Sequence, residues 1–153
     1  MAVYTATVRW ERGGQKFSDG KFSRGHVWEF DGGARIAASS SPHLVRLPYS
    51  VAENVDPEEA FVASASSCHM LFFLFLAQKA GFVVENYRDD AEGIMGQNEE
   101  GRMAMTRIRL QPKVQYAGSA PDPAAEAALH HKAHEACFIS NSVKTRIKTL
   151  LGD

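Results

Sequence analysis

The order of periodic segments along this chain predicts an α+β fold. Three observations carry the prediction. Apolar and polar residues alternate in the N-terminal third, the period of half-buried strands. One long apolar segment, bounded by helix start and stop signals, occupies the middle. The chain then returns to strands, a second helix and a final strand.

Tyr4, Ala6, Val8 and Trp10 alternate with Thr5, Thr7 and Arg9, which predicts a first strand. Gly13-Gly14 and Asp19-Gly20 break it. His26, Trp28 and Phe30 alternate again, and Asp31-Gly32-Gly33 turns the chain into Ala34–Ala38, a hairpin signal. Residues 39–55, rich in serine with Pro42 and Pro48, read as a long loop; a loop of that length in a compact domain is often functional.

Asp56-Pro57-Glu58-Glu59 opens a helix: Asp56 caps, Pro57 suits the first helical position, and Glu59 completes a capping box. The helix is expected to run to about Ala80 and to stop at Gly81. Ala63-Ser64-Ala65-Ser66-Ser67 are small, whereas Leu71 to Leu76 are all large and apolar. Such a helix should be buried on most sides, with its small residues letting another backbone approach. Phe82 to about Glu92 and Ala104 to Tyr116 read as two strands. Asp122-Pro123 starts a second helix to about Ala136. Val143 to Leu150 reads as a strand with one basic face.

A chain of about 150 residues buries roughly 68–70% of its unfolded surface, so one domain over 1–153, or two small lobes sharing a core, is expected, without staples. The net charge of −1 gives no electrostatic case for nucleic acid or an anionic membrane. The first ten residues lack the basic start and apolar block of a signal peptide. Leu71–Ala77 is too short for a span of about 20 residues. These readings predict a cytoplasmic protein, where a disulfide would be transient and catalytic.

Two cysteines are the candidates for chemistry. Cys68 lies in Ala65-Ser66-Ser67-Cys68-His69-Met70. A free cysteine packs well as a small hydrophobe, but Ser66, Ser67 and His69 interrupt what would otherwise be a purely packed helix. A nearby cation would supply thiolate at neutral pH. His69 points about 100° away and is a weak contact candidate. Glu58 stands ten residues earlier, about 15 Å of helical rise, and cannot touch Cys68 directly. Alone it reads as a partner of the helix dipole. Cys137 shares a helical face with His130 and His134, so a zinc site is a rival reading, although a closed site wants four ligands. Of Arg9, Arg12, Arg24 and Arg35, periodicity does not say which would pair with a thiolate.

Together these residues resemble the OsmC/Ohr family of thiol peroxidases. Val55-Asp56-Pro57-Glu58-Glu59 followed by Ser66-Ser67-Cys68 is similar to the family's Asn-Pro-Glu-x-Leu and reactive cysteine ten residues on. Ala133-His134-Glu135-Ala136-Cys137-Phe138-Ile139-Ser140-Asn141 is similar to its Ala-His-x-x-Cys-Pro-x-Ser-Asn. The resemblance implies antiparallel sheets wrapped around a long buried central helix in an intertwined homodimer. It implies a cofactor-free peroxidase that reduces organic hydroperoxides, with a dithiol, lipoyl-type in the Ohr branch, as reductant. Cys68 would be the peroxidatic thiol and Cys137 the resolving one. Glu58 would hold an arginine against the thiolate, and Arg24 in Phe22-Ser23-Arg24-Gly25-His26 is the expected arginine, with Arg12 second. The chain departs from the pattern at His69, at Phe138 and in the loop 39–50. The alternative reading is a non-enzymatic stress protein that binds a small apolar ligand at the dimer interface.

Overall fold

The computed structural model describes residues 1–152, in two compact units that meet in sequence at Ala60. In the first unit, β1 (Ala6–Arg9), β2 (His26–Phe30) and β3 (Arg35–Ala38) form an antiparallel sheet in that order. Val8 and Ile36 flank Trp28 in register. The β2–β3 turn needs a left-handed residue, and Gly33 supplies it at φ 91° while its N–H reaches the Phe30 carbonyl at 2.9 Å. The serine-rich loop is closed at its base: Ser39 N–H donates to the Val55 carbonyl and Val55 N–H to that of Ala37, both at 3.0 Å. Inside it the buried Ser39 hydroxyl accepts the Val51 N–H at 2.9 Å, replacing a backbone partner.

α1 (Pro57–Lys79) starts as the sequence predicts. Its capping box is reciprocal: Glu59 N–H donates to Asp56 Oδ1 at 2.8 Å, and Asp56 N–H to Glu59 Oε2 at 3.1 Å. Gly81, at φ 86°, follows its end.

The second unit begins within this helix. Ala65, His69, Phe73 and Ala77 are its buried residues, one every fourth position and therefore on one face. Ala65 packs on Ile108, Leu110 and Ile147, whereas Phe73 and Ala77 pack on Leu129 and Ala133. The expectation of burial on most sides does not hold within one chain. Ser67, Leu71 and Phe75 form an exposed stripe opposite the packed face, Leu71 at 60% and Phe75 at 54% exposure. By length and composition α1 would cross a membrane, but its packing and its buried His69 mark it as a core helix.

After α1 the strand read over Phe82–Glu92 is β4 (Val83–Asp89), the one read over Ala104–Tyr116 is two, and a further strand, β5 (Glu92–Gln97), lies beyond the first reading. β4 and β5 are separated at Asp90-Ala91; β6 (Met103–Leu110) and β7 (Pro112–Ala117) are separated at Gln111. β4 pairs with β7, and β5 with β6, both antiparallel, in different sheets. The two breaks are tied together: Asp89 Oδ1 accepts the Gln111 N–H at 2.6 Å and the Gln111 amide donates to the Asp90 carbonyl at 2.9 Å. α2 (Pro123–Ala136) begins on Asp122, whose carboxylate accepts the Ala125 N–H. A short α3 (Phe138–Asn141), absent from the sequence reading, follows directly. The final strand, β8 (Arg146–Thr149), is shorter than expected and runs parallel to β6, so the sheets are not all antiparallel.

Candidate functional site

α1 and the α2–α3 junction bring the two cysteines together. Cys68 sits on the α1 flank beside the packed face and is half-buried; Cys137 is fully buried. Both are free thiols, close enough that each perturbs the ionisation of the other. Cys137 terminates α2 and caps α3: its N–H donates to the His134 carbonyl, and its sulfur accepts the Ser140 N–H at 3.5 Å. Phe138 packs edge-on against Phe72 of α1, with ring centres 5.0 Å apart, and is itself 70% exposed.

The two thiols are pushed in opposite directions. Burial raises the Cys68 pKa, and contact with Cys137 raises it further; the backbone N–H groups of Ile139 and Phe138 only partly offset this. Burial also opposes ionisation of Cys137, but hydrogen bonds from the Ser140 side chain, the Cys68 thiol and the amides of Ser140 and Ile139 outweigh it, and its pKa falls. Within this unit, Cys137 is therefore the better-stabilised thiolate and Cys68 the more accessible sulfur.

Next to Cys68, the His69 ring turns inward. Its Nε2 meets His130 Nδ1 at 3.0 Å, the two rings are stacked within 4° of parallel, and His130 stacks in turn on Phe73 at 4.1 Å. Burial lowers both histidines to a pKa of about 4, so both are neutral at pH 7. The zinc reading of His130, His134 and Cys137 is not supported: His130 is committed to His69, and no group of three ligating side chains among the described residues suits a metal.

In the first unit, Arg24 is half-buried before β2, with its guanidinium on the Gly20 carbonyl at 2.8 Å, on the Phe22 carbonyl, and 3.8 Å above the Phe22 ring. Arg9 and Arg35 share Glu29, and Arg12 donates to the Gln15 carbonyl. Glu58 Oε2 is buried without a hydrogen-bond partner, so no arginine engages it there. Sequence reasoning did not single out His26, Trp28 or the His69–His130 contact, because nothing local signals a pairing across 61 residues.

The family model described as OsmC-like protein matches residues 51–151, the stretch that carries both cysteine motifs. The chain belongs to the OsmC-like protein family. A structure of an OsmC-like protein of unknown function from Vibrio cholerae O1 biovar eltor str. N16961 is 49% identical to this OsmC-like chain, covers 99% of it and 100% of its own length, and superposes with a TM-score of 0.97. An organic hydroperoxide resistance protein from Elizabethkingia anophelis shares the fold at 20% identity and TM-score 0.71, over 99% and 94% of the two chains. That of Bacillus subtilis does so at 16% identity and TM-score 0.67, over 99% and 98%. No curated protein matches the OsmC-like chain.

Proposed function

We propose that this protein is a cysteine-based peroxidase that reduces organic hydroperoxides to alcohols. The observation that carries the reading is the contact between an accessible thiol, Cys68, and a buried one, Cys137. The Cys68 thiolate attacks the terminal peroxide oxygen. The O–O bond breaks, the alkoxide takes a proton and leaves as alcohol, and Cys68 becomes a sulfenic acid. The Cys137 sulfur attacks that sulfenic sulfur and expels water, which closes a disulfide. An external dithiol, lipoyl-type or similar, returns both thiols by exchange and leaves as its own disulfide. Such a cycle suits a reducing, cytoplasmic setting.

Arg24 is proposed as the cation that stabilises the Cys68 thiolate and Glu58 as the carboxylate that orients it, on the strength of the family resemblance. The unpartnered Glu58 Oε2 fits a carboxylate awaiting a cation. A second copy of the chain is the proposed cover for the Leu71–Phe75 stripe, giving a homodimer.

A non-enzymatic ligand-binding reading is favoured by one observation, the raised pKa of Cys68. One assay separates the two. Consumption of an alkyl hydroperoxide with a dithiol is measured for wild type and Cys68→Ser, and equal rates would end the peroxidase reading. Mass spectrometry should find a Cys68–Cys137 disulfide after one equivalent of peroxide, and a sulfenic acid at Cys68 in Cys137→Ser.

A further inference from the structure

The segment that carries Arg24 is fixed by a relay of two side chains and one loop. Arg24 N–H donates to the Tyr49 carbonyl at 2.9 Å. The Arg24 carbonyl lies 2.7 Å from His26 Nδ1. His26 Nε2 lies 3.0 Å from Trp28 Nε1. Both backbone groups of Arg24 are thereby held, one by the loop and one by β2.

The chemistry of the partners leaves one protonation state for His26. An indole nitrogen only donates, so His26 Nε2 must accept and carries no proton. A carbonyl only accepts, so Nδ1 must carry the proton. Two independent contacts demand the same neutral tautomer. The strand makes the arrangement possible: His26 and Trp28 are two residues apart in β2 and share one side of the sheet. Trp28 is itself held between Val8 of β1 and Ile36 of β3 in register. Neighbouring contacts stiffen the same segment. Trp10 Nε1 donates to the Ser23 carbonyl at 2.8 Å, and Gln15 Oε1 accepts the Ser23 N–H at 2.7 Å. The guanidinium itself rests on neutral carbonyls and a ring face. Among the described residues no carboxylate pairs with its charge, while its backbone is fixed.

We propose that His26, with its tautomer set by Trp28, is a positioning residue that presents Arg24 to the reactive thiolate. This rests on the reading of Arg24 given above, and the experiment separates the two. Cys68 alkylation by iodoacetamide is followed against pH by intact mass in a Cys137→Ser background. Alongside it, kcat and KM for an alkyl hydroperoxide are measured with Cys137 present. His26→Leu should move the alkylation midpoint upward and lower kcat/KM by roughly two- to tenfold, the worth of one net hydrogen bond. His26→Asn, whose amide can replace the Nδ1–H donor, should restore most of both. Trp28→Phe should give a smaller loss of the same sign, since the Arg24 carbonyl still selects the Nδ1–H form once the indole donor is gone.

The proposal is overturned if His26→Leu changes neither readout while Arg24→Ala does, or if His26→Asn is no better than His26→Leu. Should His26→Leu fail to fold, Trp28→Phe decides: an unchanged kcat/KM together with an unchanged alkylation midpoint overturns the proposal. An Arg24→Ala variant with wild-type behaviour would remove the Arg24 assignment, and this inference with it.

Discussion

The buried His69–His130 pair should make the protein acid-labile, and the size of the effect follows from the two pKa values. Each histidine falls from 6.5 to about 4 on folding, with burial as the main cause. Two charged groups modulate His69, His134 lowering it and Asp89 raising it, and Tyr87 is packed against Phe73 beside the pair. Because the folded pKa is depressed, the unfolded chain binds protons more readily. Stability is complete above about pH 6.5 and is lost as pH falls toward 4. At pH 5 the linkage expression gives a loss of about 2 kcal/mol per histidine. The two are not independent, since each proton raises the cost of the next, so about 2–4 kcal/mol is the expected total. That is a large part of a typical domain's 5–15 kcal/mol. The assay is urea unfolding at pH 7.5 and 5.0 for wild type and for His69→Leu/His130→Phe, which replaces the pair by apolar groups of similar size. Wild type should lose stability between the two pH values and the double variant should lose at least 2 kcal/mol less, by the same estimate. Parallel losses in both proteins would refute the reasoning and place the acid sensitivity elsewhere.

Three further outcomes are expected. Phe138→Pro removes a backbone N–H directed at Cys68 and should move the Cys68 pKa upward, read from its alkylation profile; Cys137 is already extended, so a following proline fits. Asp56→Ala breaks the reciprocal cap of α1 and should cost about 1 kcal/mol in urea unfolding. Gly93→Ala puts a methyl 2.5 Å from Val62 Cγ2 and 2.7 Å from Met105 Sδ, and should cost about 1–3 kcal/mol by overpacking, with a matching fall in Tm.

What the sequence made legible was whatever is decided locally. Asp56 to Glu59 and Gly81 delimit α1 because a cap and a left-handed stop act within four residues of themselves. Asp122-Pro123 marks α2 for the same reason. The break at Gln111 was hidden because alternation continues across it, β5 fell beyond the strand read over Phe82–Glu92, and the tie between the two turns spans more than twenty residues. The parallel pairing of β8 with β6 is hidden likewise, as is the choice of which face of an all-round apolar α1 is packed. The meeting of Cys68 and Cys137 was expected from the resemblance alone, because no helical period relates two residues on different elements. Arg24 was singled out by the family resemblance, which keeps an arginine before β2, but the side chains that hold it came from contacts that no motif advertises.

The thiol pair also sets a directional problem that the proposed arginine answers. As the second unit stands, hydrogen bonds favour charge on Cys137, while peroxide chemistry needs it on the accessible Cys68. Each net hydrogen bond contributes about 0.5–1.5 kcal/mol, so the preference for Cys137 amounts to a few such contributions. A guanidinium beside Cys68 would act against that preference, because an adjacent opposite charge favours the thiolate directly. In the proposed cycle, once Cys68 is oxidised it no longer carries a thiolate, and the remaining donors around Cys137, from Ser140 and Ile139, then favour the nucleophilic form of the proposed resolving sulfur. The same donors that oppose the first step thus favour the second, which gives each cysteine its turn as the charged partner.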